Sequence, residues 1–127
     1  MSFVNAFETT VLQWSLTTDS VTRPTTWYVG LFTSDPTDTG AAGTEVSGGS
    51  YARTAVTFSV TGDTASNTAA VEFPAATANW GSVSHIGIHD ASTGGNMLVH
   101  AALSTAKTIA SGDVFRIPTG DLDITLD

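Results

Sequence analysis

Three histidines are the only side chains whose type and spacing invite metal chemistry. His85 and His89 stand at i and i+4, and His100 follows a glycine-rich turn. Three imidazoles on one face would suit a transition metal. On a strand, however, i and i+4 lie about 13 Å apart, too far for one ion. Only a cross-strand pair of His85 and His100 is close enough to share one, and histidines hydrogen-bonded on a sheet face or at a subunit contact are the plainer reading. Asp121 and Asp123 put two carboxylates on one strand face, with too few oxygen ligands for a calcium loop. Gly43–Ser50 is rich in glycine but has no lysine to meet a phosphate. No GxSxG, HExxH or GxGxxG motif is present. No catalytic, cofactor or metal site is therefore expected, and the chain reads as a non-enzyme.

Charge narrows the partners. Four basic residues (Arg23, Arg53, Lys107, Arg116) face twelve acids, for a net charge of −8. That lacks the basic footprint of a nucleic-acid binder and the polybasic face of a membrane binder, so neither partner is expected. There is no cysteine, hence no disulfide framework. Met1–Asn5 has no basic start followed by an apolar run, so no signal peptide is expected, and no stretch is apolar enough to span a bilayer.

The elements that would position these residues follow from periodicity. The 127 residues suit one β-rich domain, 1–127. Residues 1–20 read as a helix, with Ser2 as N-cap, a stripe of Phe3, Phe7, Val11 and Trp14, and an end at Thr17–Ser20. That helix either packs on its own sheet or docks on a neighbour. Thr26–Thr33 is apolar on both faces and predicts a central, doubly covered strand, with Gly30 marking a close backbone approach. Tyr51–Val60 alternates, with Ala52, Val56, Phe58 and Val60 inward, and Asn67–Phe73 puts Ala69, Val71 and Phe73 on one side. Ser82–Asp90 and Asn96–Ser104 predict a hairpin that pairs His85 with His100, Ile86 with Val99 and Ile88 with Met97. Ile109 and Val114–Ile117 predict a second hairpin about Ser111–Asp113. Leu122, Ile124 and Leu126 alternate with Asp121, Asp123 and Asp127. Together these give an antiparallel β-sandwich or jelly-roll-like barrel with one N-terminal amphipathic helix. The 17-residue loop 34–50 is long enough to carry function.

A family likeness rests on particular residues. Trp27–Thr33 is followed by Glu45-Val46-Ser47-Gly48-Gly49-Ser50-Tyr51-Ala52-Arg53, then Asn67, Phe73, Trp80-Gly81, Ile86–Asp90, Gly94-Gly95, Gly112-Asp113-Val114 and Gly120-Asp121-Leu122. This order resembles a family of small tailed-bacteriophage virion proteins, labelled tail fibre proteins or found among head genes. The resemblance implies a structural component located in the virion, assembled in the host cytoplasm. A compact domain about 28 Å across suits a surface knob better than a fibre shaft. A capsid decoration (cement) protein on the outer head shell is therefore the expectation. A tail or tail-fibre component is the alternative, and a carbohydrate-binding module with Trp27, Trp80 and Tyr51 as stacking platforms is a more remote one. The expected partners are the major capsid protein or other virion subunits, and a homotrimer matching threefold capsid positions. The expected subunit contacts are Phe3, Phe7, Val11 and Trp14 on the helix, and Glu45, Gly48, Gly49, Tyr51 and Arg53 around the loop. Arg53 is expected to pair with Glu45 or Glu72.

Overall fold

The computed structural model describes residues 1–126. In chain order it contains β1 (Ser2–Phe3), α1 (Asn5–Leu16), β2 (Tyr28–Phe32), β3 (Thr54–Ala55), β4 (Phe58–Thr61), β5 (Thr64–Asn67), β6 (Val71–Glu72), β7 (Gly81–His89), β8 (Met97–Ile109), β9 (Arg116–Ile117) and β10 (Asp123–Thr125). All strand pairings are antiparallel. The main sheet runs β1-β8-β7-β2-β3, beside a three-stranded sheet β10-β5-β4 and a two-stranded sheet β6-β9. This is the expected mainly-β, sandwich-like architecture with one N-terminal helix. Among the described residues no helix is long and apolar enough to cross a membrane.

β2 sits inside the main sheet, and four of its five residues are buried. Register puts Val29, Leu31, Ile86, Ile88 and Val99 on one face, since Val29 opposes Ile88, Leu31 opposes Ile86 and Ile88 opposes Val99. That face joins Val71, Phe73, Phe115 and Leu122 in the core. Each fully buried aliphatic or aromatic side chain contributes about 1.5–3 kcal/mol. The opposite face carries Gly30 and Phe32 and is covered by the 34–50 loop, which explains why the strand is apolar on both sides. Gly30 lies under His89, as expected of a close approach: a Cβ there would stand 2.9 Å from His89 Cε1 and 3.0 Å from Glu45 Oε2. Gly30→Ala should therefore cost about 1–3 kcal/mol through overpacking, read as a lower urea midpoint. An unchanged midpoint would mean that His89 moves aside freely.

The structure corrects several expectations. Ser2 is not an N-cap. Ser2 and Phe3 pair with His100 and Val99, and Val4 N–H bonds to the Leu98 carbonyl, so the sheet claims these residues first. The helix starts at Asn5 behind Val4, which has no side-chain capping bond, and ends before Thr17 as expected. The β7–β8 register is two residues away from the predicted one: His100 opposes Gly87, and His85 opposes Ala102. The turn itself imposes this shift. Asp90 holds it closed by accepting from Asn96 N–H, Gly94 and Gly95 adopt positive φ, and a bulge falls between Ile88 and His89. A two-residue shift keeps each side chain on its face.

Two predicted strands are broken. Between β3 and β4 the chain changes sheets, with Val56 N–H bonded to Trp27 and Thr57 accepting from Thr68 N–H. Val56 is buried and Phe58 half-buried, but Ala52 and Val60 are exposed. Asn67 ends β5, its amide donating to the Ala69 and Pro118 carbonyls and accepting from Leu122 N–H. Val71 and Phe73 are buried beyond it, whereas Ala69 is exposed. The predicted second hairpin does not form, because β9 pairs with β6 rather than with β8. Leu122 is buried and Ile124 half-buried, while Leu126 is exposed; Asp127 lies outside the described residues.

Candidate functional site

Loop 34–50 is locked to the sheet by backbone and by charge. Thr33 N–H bonds to Thr44, and Val46 N–H bonds to Leu31, returning the loop to β2. Glu45 then meets Arg53 as a two-pronged pair, Nη2–Oε1 at 2.8 Å and Nε–Oε2 at 2.9 Å. Arg53 Nη1 donates to the carbonyls of Ala91 and Gly94, so one guanidinium joins the loop, the segment before β3 and the β7–β8 turn. Tyr51 Oη donates to Glu45 Oε2 at 2.6 Å and accepts from Leu31 N–H. Burial on its own would raise the Glu45 carboxyl. The bonds from Arg53 and Tyr51 and the Arg53 charge outweigh it and hold that carboxyl below its ordinary value. Burial, with the Glu45 carboxylate beside it, pushes the Tyr51 hydroxyl up.

The pairing of Arg53 with Glu45, one of the two partners expected, is thus internal to the chain. Gly49 is packed, its carbonyl accepting from Trp80 Nε1 at 2.9 Å, whereas Gly48 is exposed with open space beside it. Trp80 is buried, and Tyr51 stacks on Phe73 and meets Trp80 edge-on, so neither ring offers a face to a sugar. Trp27 is half-buried at the edge of the core.

The histidines divide. His89 is buried, stacked on Phe32 with ring centroids 5.8 Å apart, and its Nδ1 has no hydrogen-bond partner. Burial pushes its pKa down to about 4, the Arg53 charge adding to the effect and Glu45 partly opposing it. His85 and His100 instead converge on the loop. Asp35 Oδ1 lies 4.0 Å from His85 Nε2 and 3.8 Å from His100 Nδ1, and His100 Nε2 is 2.9 Å from Asp38 Oδ1. Among the described residues no group of three such side chains is placed to hold a metal ion.

Asp38 is also the anchor of the N-terminal arm. It accepts from Ser2 Oγ, and its carbonyl accepts from Asn5 N–H at the start of α1. The bond from His100, with that from Ser2, holds the Asp38 carboxyl below its ordinary value. Its contribution is thus present above the ordinary carboxylate range and is lost as pH falls through the lowered value. Asp38→Asn should speed hydrogen exchange at Val4 and Asn5 while the β2 amides stay protected; equal protection in both proteins would show that the arm is held by its backbone alone.

The helix stripe splits. Phe3 and Phe7 pack on the core with ring centroids 5.0 Å apart, Val11 is half-buried, and Trp14 is 69% exposed, as are Leu12 and Leu16 to similar degrees. Two shallow apolar grooves flank the stripe. One, of about 320 Å³, opens between the sheets at Phe58, Val60, Ile124 and Leu126. The other, of about 310 Å³, lies between α1 and the Val21–Trp27 segment. The roles of Asp35 and Asp38 and the groove at Val60 were missed by sequence reasoning. The two aspartates lie far from His100 in sequence, and the position of Val60 depends on the sheet change at Val56.

No curated protein matches the chain. The family described as Podophage GP4 fiber I protein gp80 matches residues 2–125, nearly the whole chain. The loop is locked by an internal ion pair, His100 bonds to that loop, and the helix leaves Leu12, Trp14 and Leu16 exposed. These features agree with the likeness carried by the Glu45–Arg53 block: the chain belongs to the Podophage GP4 fiber I protein gp80 family, a family of tailed-phage virion structural proteins.

Proposed function

We propose that the chain is a non-catalytic capsid decoration protein, bound on the outer head shell to the major capsid protein as a homotrimer. The observation that supports this reading is the fold itself. Among the described residues there is one sandwich-like domain with a pinned loop, and neither a shaft nor a repeated segment with which to build length. A short projection at a symmetric shell position needs neither. The family's description as a fibre protein favours the second reading, a tail or tail-fibre component. Copy number per particle separates them, by quantitative gel or mass spectrometry against the major capsid protein. Hundreds of copies support decoration, and a few to a few dozen support the tail. In either place the protein is a virion component, put together in the host cytoplasm.

Attachment on this reading is apolar rather than electrostatic. A chain of net charge −8 approaching an acidic shell is repelled at low salt. With a Debye length of about 10 Å at 0.1 M, added salt screens that repulsion. Occupancy on particles should hold or rise from low to moderate salt. Release of the wild-type chain by moderate salt would point instead to a local charge patch as the attachment.

A further inference from the structure

We infer that the free edge of β4 takes an added strand: an extended, acid-free segment of another protein, apolar on alternate residues, pairing antiparallel with Phe58–Thr61. β4 ends the three-stranded sheet and is paired on one side only, with β5. Thr68 N–H bonds to the Thr57 carbonyl, and the ladder bonds of an antiparallel pair alternate along the strand. Thr57, Ser59 and Thr61 therefore spend their main-chain groups on β5, while Phe58 and Val60 turn theirs outward. Among the described residues no backbone bond from another element meets them. The Val60 side chain is bare as well, at 72% exposed. An edge that presents unpaired N–H and C=O groups is a template for a further strand.

The other terminal strands are protected. β1, β3, β6 and β9 are two residues each, and β10 carries Asp123. The stretch of β8 left open beyond His100 carries Lys107 and is broken by a register shift opposite Val83–His85. β4 has no charge, no proline and an unbroken register, pinned by a two-residue turn in which Gly62 takes a positive φ. Charges, bulges and two-residue length keep edges from pairing, and β4 has none of them.

Side-chain pattern and charge identify the occupant. Phe58 and Val60 share the face that lines the inter-sheet groove with Ala65 and Ile124. An added strand continues that face with its own apolar residues, which cover Val60 and close the mouth of the groove. The opposite face is a ladder of hydroxyls: Thr57 bonds to Thr68, Thr64 to Thr125, and Ser66 to Asp123. Alternate residues of the added strand fall beside Ser59 and Thr61 on that face, where Thr or Ser pairs well. Asp63, Asp121 and Asp123 are exposed around it, and residues 57–68 and 119–126 contain no Lys or Arg. None of the three acids forms an ion pair among the described residues. An acidic segment is repelled there, which disfavours a second copy of this chain, at net charge −8, and favours a neutral or weakly basic segment of a different protein. The pairing asks only for an extended segment, so it stands whether the partner lies in the head or in the tail.

The test is a titration of the full chain with the end-blocked peptide Lys-Val-Thr-Val-Thr-Lys, followed by amide NMR in about 0.15 M salt, where the Debye length is about 8 Å. The Phe58 and Val60 amides should shift, and their hydrogen exchange, fast in the free chain, should slow. The Ser59 amide, bonded to β5, should be protected throughout. The same peptide with Glu in place of Lys should bind roughly tenfold more weakly. Val60→Lys, at an exposed position, should also weaken binding roughly tenfold while the thermal transition stays in place. Val60→Pro removes an outward N–H and no ladder bond, so the sheet should form and binding should be lost. If Val60→Pro fails to fold, Val60→Lys decides. Phe58 and Val60 amides that exchange as slowly as Ser59 in the free chain overturn the inference. So does a titration that moves no β4 amide or moves only those of α1, equal binding of the Lys and Glu peptides, or binding indifferent to Val60→Lys.

Discussion

Arg53→Ala should lower the folding free energy by about 3 kcal/mol, seen as a fall in the urea midpoint at neutral pH with the slope unchanged. The substitution strips four hydrogen bonds, two to Glu45 and two to the β7–β8 turn. It also leaves the Glu45 carboxylate in a site where only a quarter of its side chain reaches solvent. Removing one partner of a buried pair costs about 3–5 kcal/mol, and the partial exposure of Glu45 places this pair at the low end. Arg53→Lys should recover little, because an ammonium cannot grip both carboxylate oxygens and two carbonyls in one plane. A loss below about 1 kcal/mol, the range of surface ion pairs, would show that water replaces the guanidinium and that the loop is held by its backbone.

The second large effect is acid sensitivity centred on His89. In the folded chain its pKa is pushed down to about 4, whereas in the unfolded chain it returns to about 6.5. The unfolded state therefore binds the extra proton first. Stability from keeping this ring neutral is fully present above about pH 6.5 and drains away as pH falls toward 4, by about 3 kcal/mol in all. Denaturant midpoints at pH 7 and pH 4 measure it. His89→Leu removes the titrating ring and should flatten the curve in that window relative to wild type, leaving the carboxylates to act below it. An identical pH slope in the variant would mean that the proton is taken up elsewhere.

What the residues reveal and what they conceal have the same origin. Tyr28–Phe32 is legible as an interior strand because its composition leaves no wet face, and Gly30 is legible as a close approach because nothing else tolerates a neighbour there. The excess of acids over cations points Arg53 to a carboxylate, Glu45 or Glu72, and the structure pairs it with Glu45. Alternation, however, describes a strand only while it stays in one sheet. At Val56–Thr57 the chain changes sheets, so Val60, inward by parity, ends exposed. The β7–β8 register depends on how Asp90 closes its turn, which the apolar match of isoleucines to valine and methionine does not encode. The link from His100 to Asp38 joins residues from opposite halves of the chain, and Trp80 looked available to a ligand because its bond to Gly49 is equally remote.

The pairing of β1 with β8 has a temporal consequence. Ser2 and Phe3 are made well before their partners His100 and Val99, which lie far along the chain. Loops closed over such separations slow folding, and synthesis at about 5–20 residues per second adds a wait of several seconds before the partners exist. α1 hangs from β1 and from Asp38, so it takes its final orientation only after the β7–β8 hairpin is in place to receive the arm. Nascent chains thus withhold the final placement of the exposed Trp14 until the rest of the sheet is complete, so the outer face of α1 is among the last surfaces the fold presents.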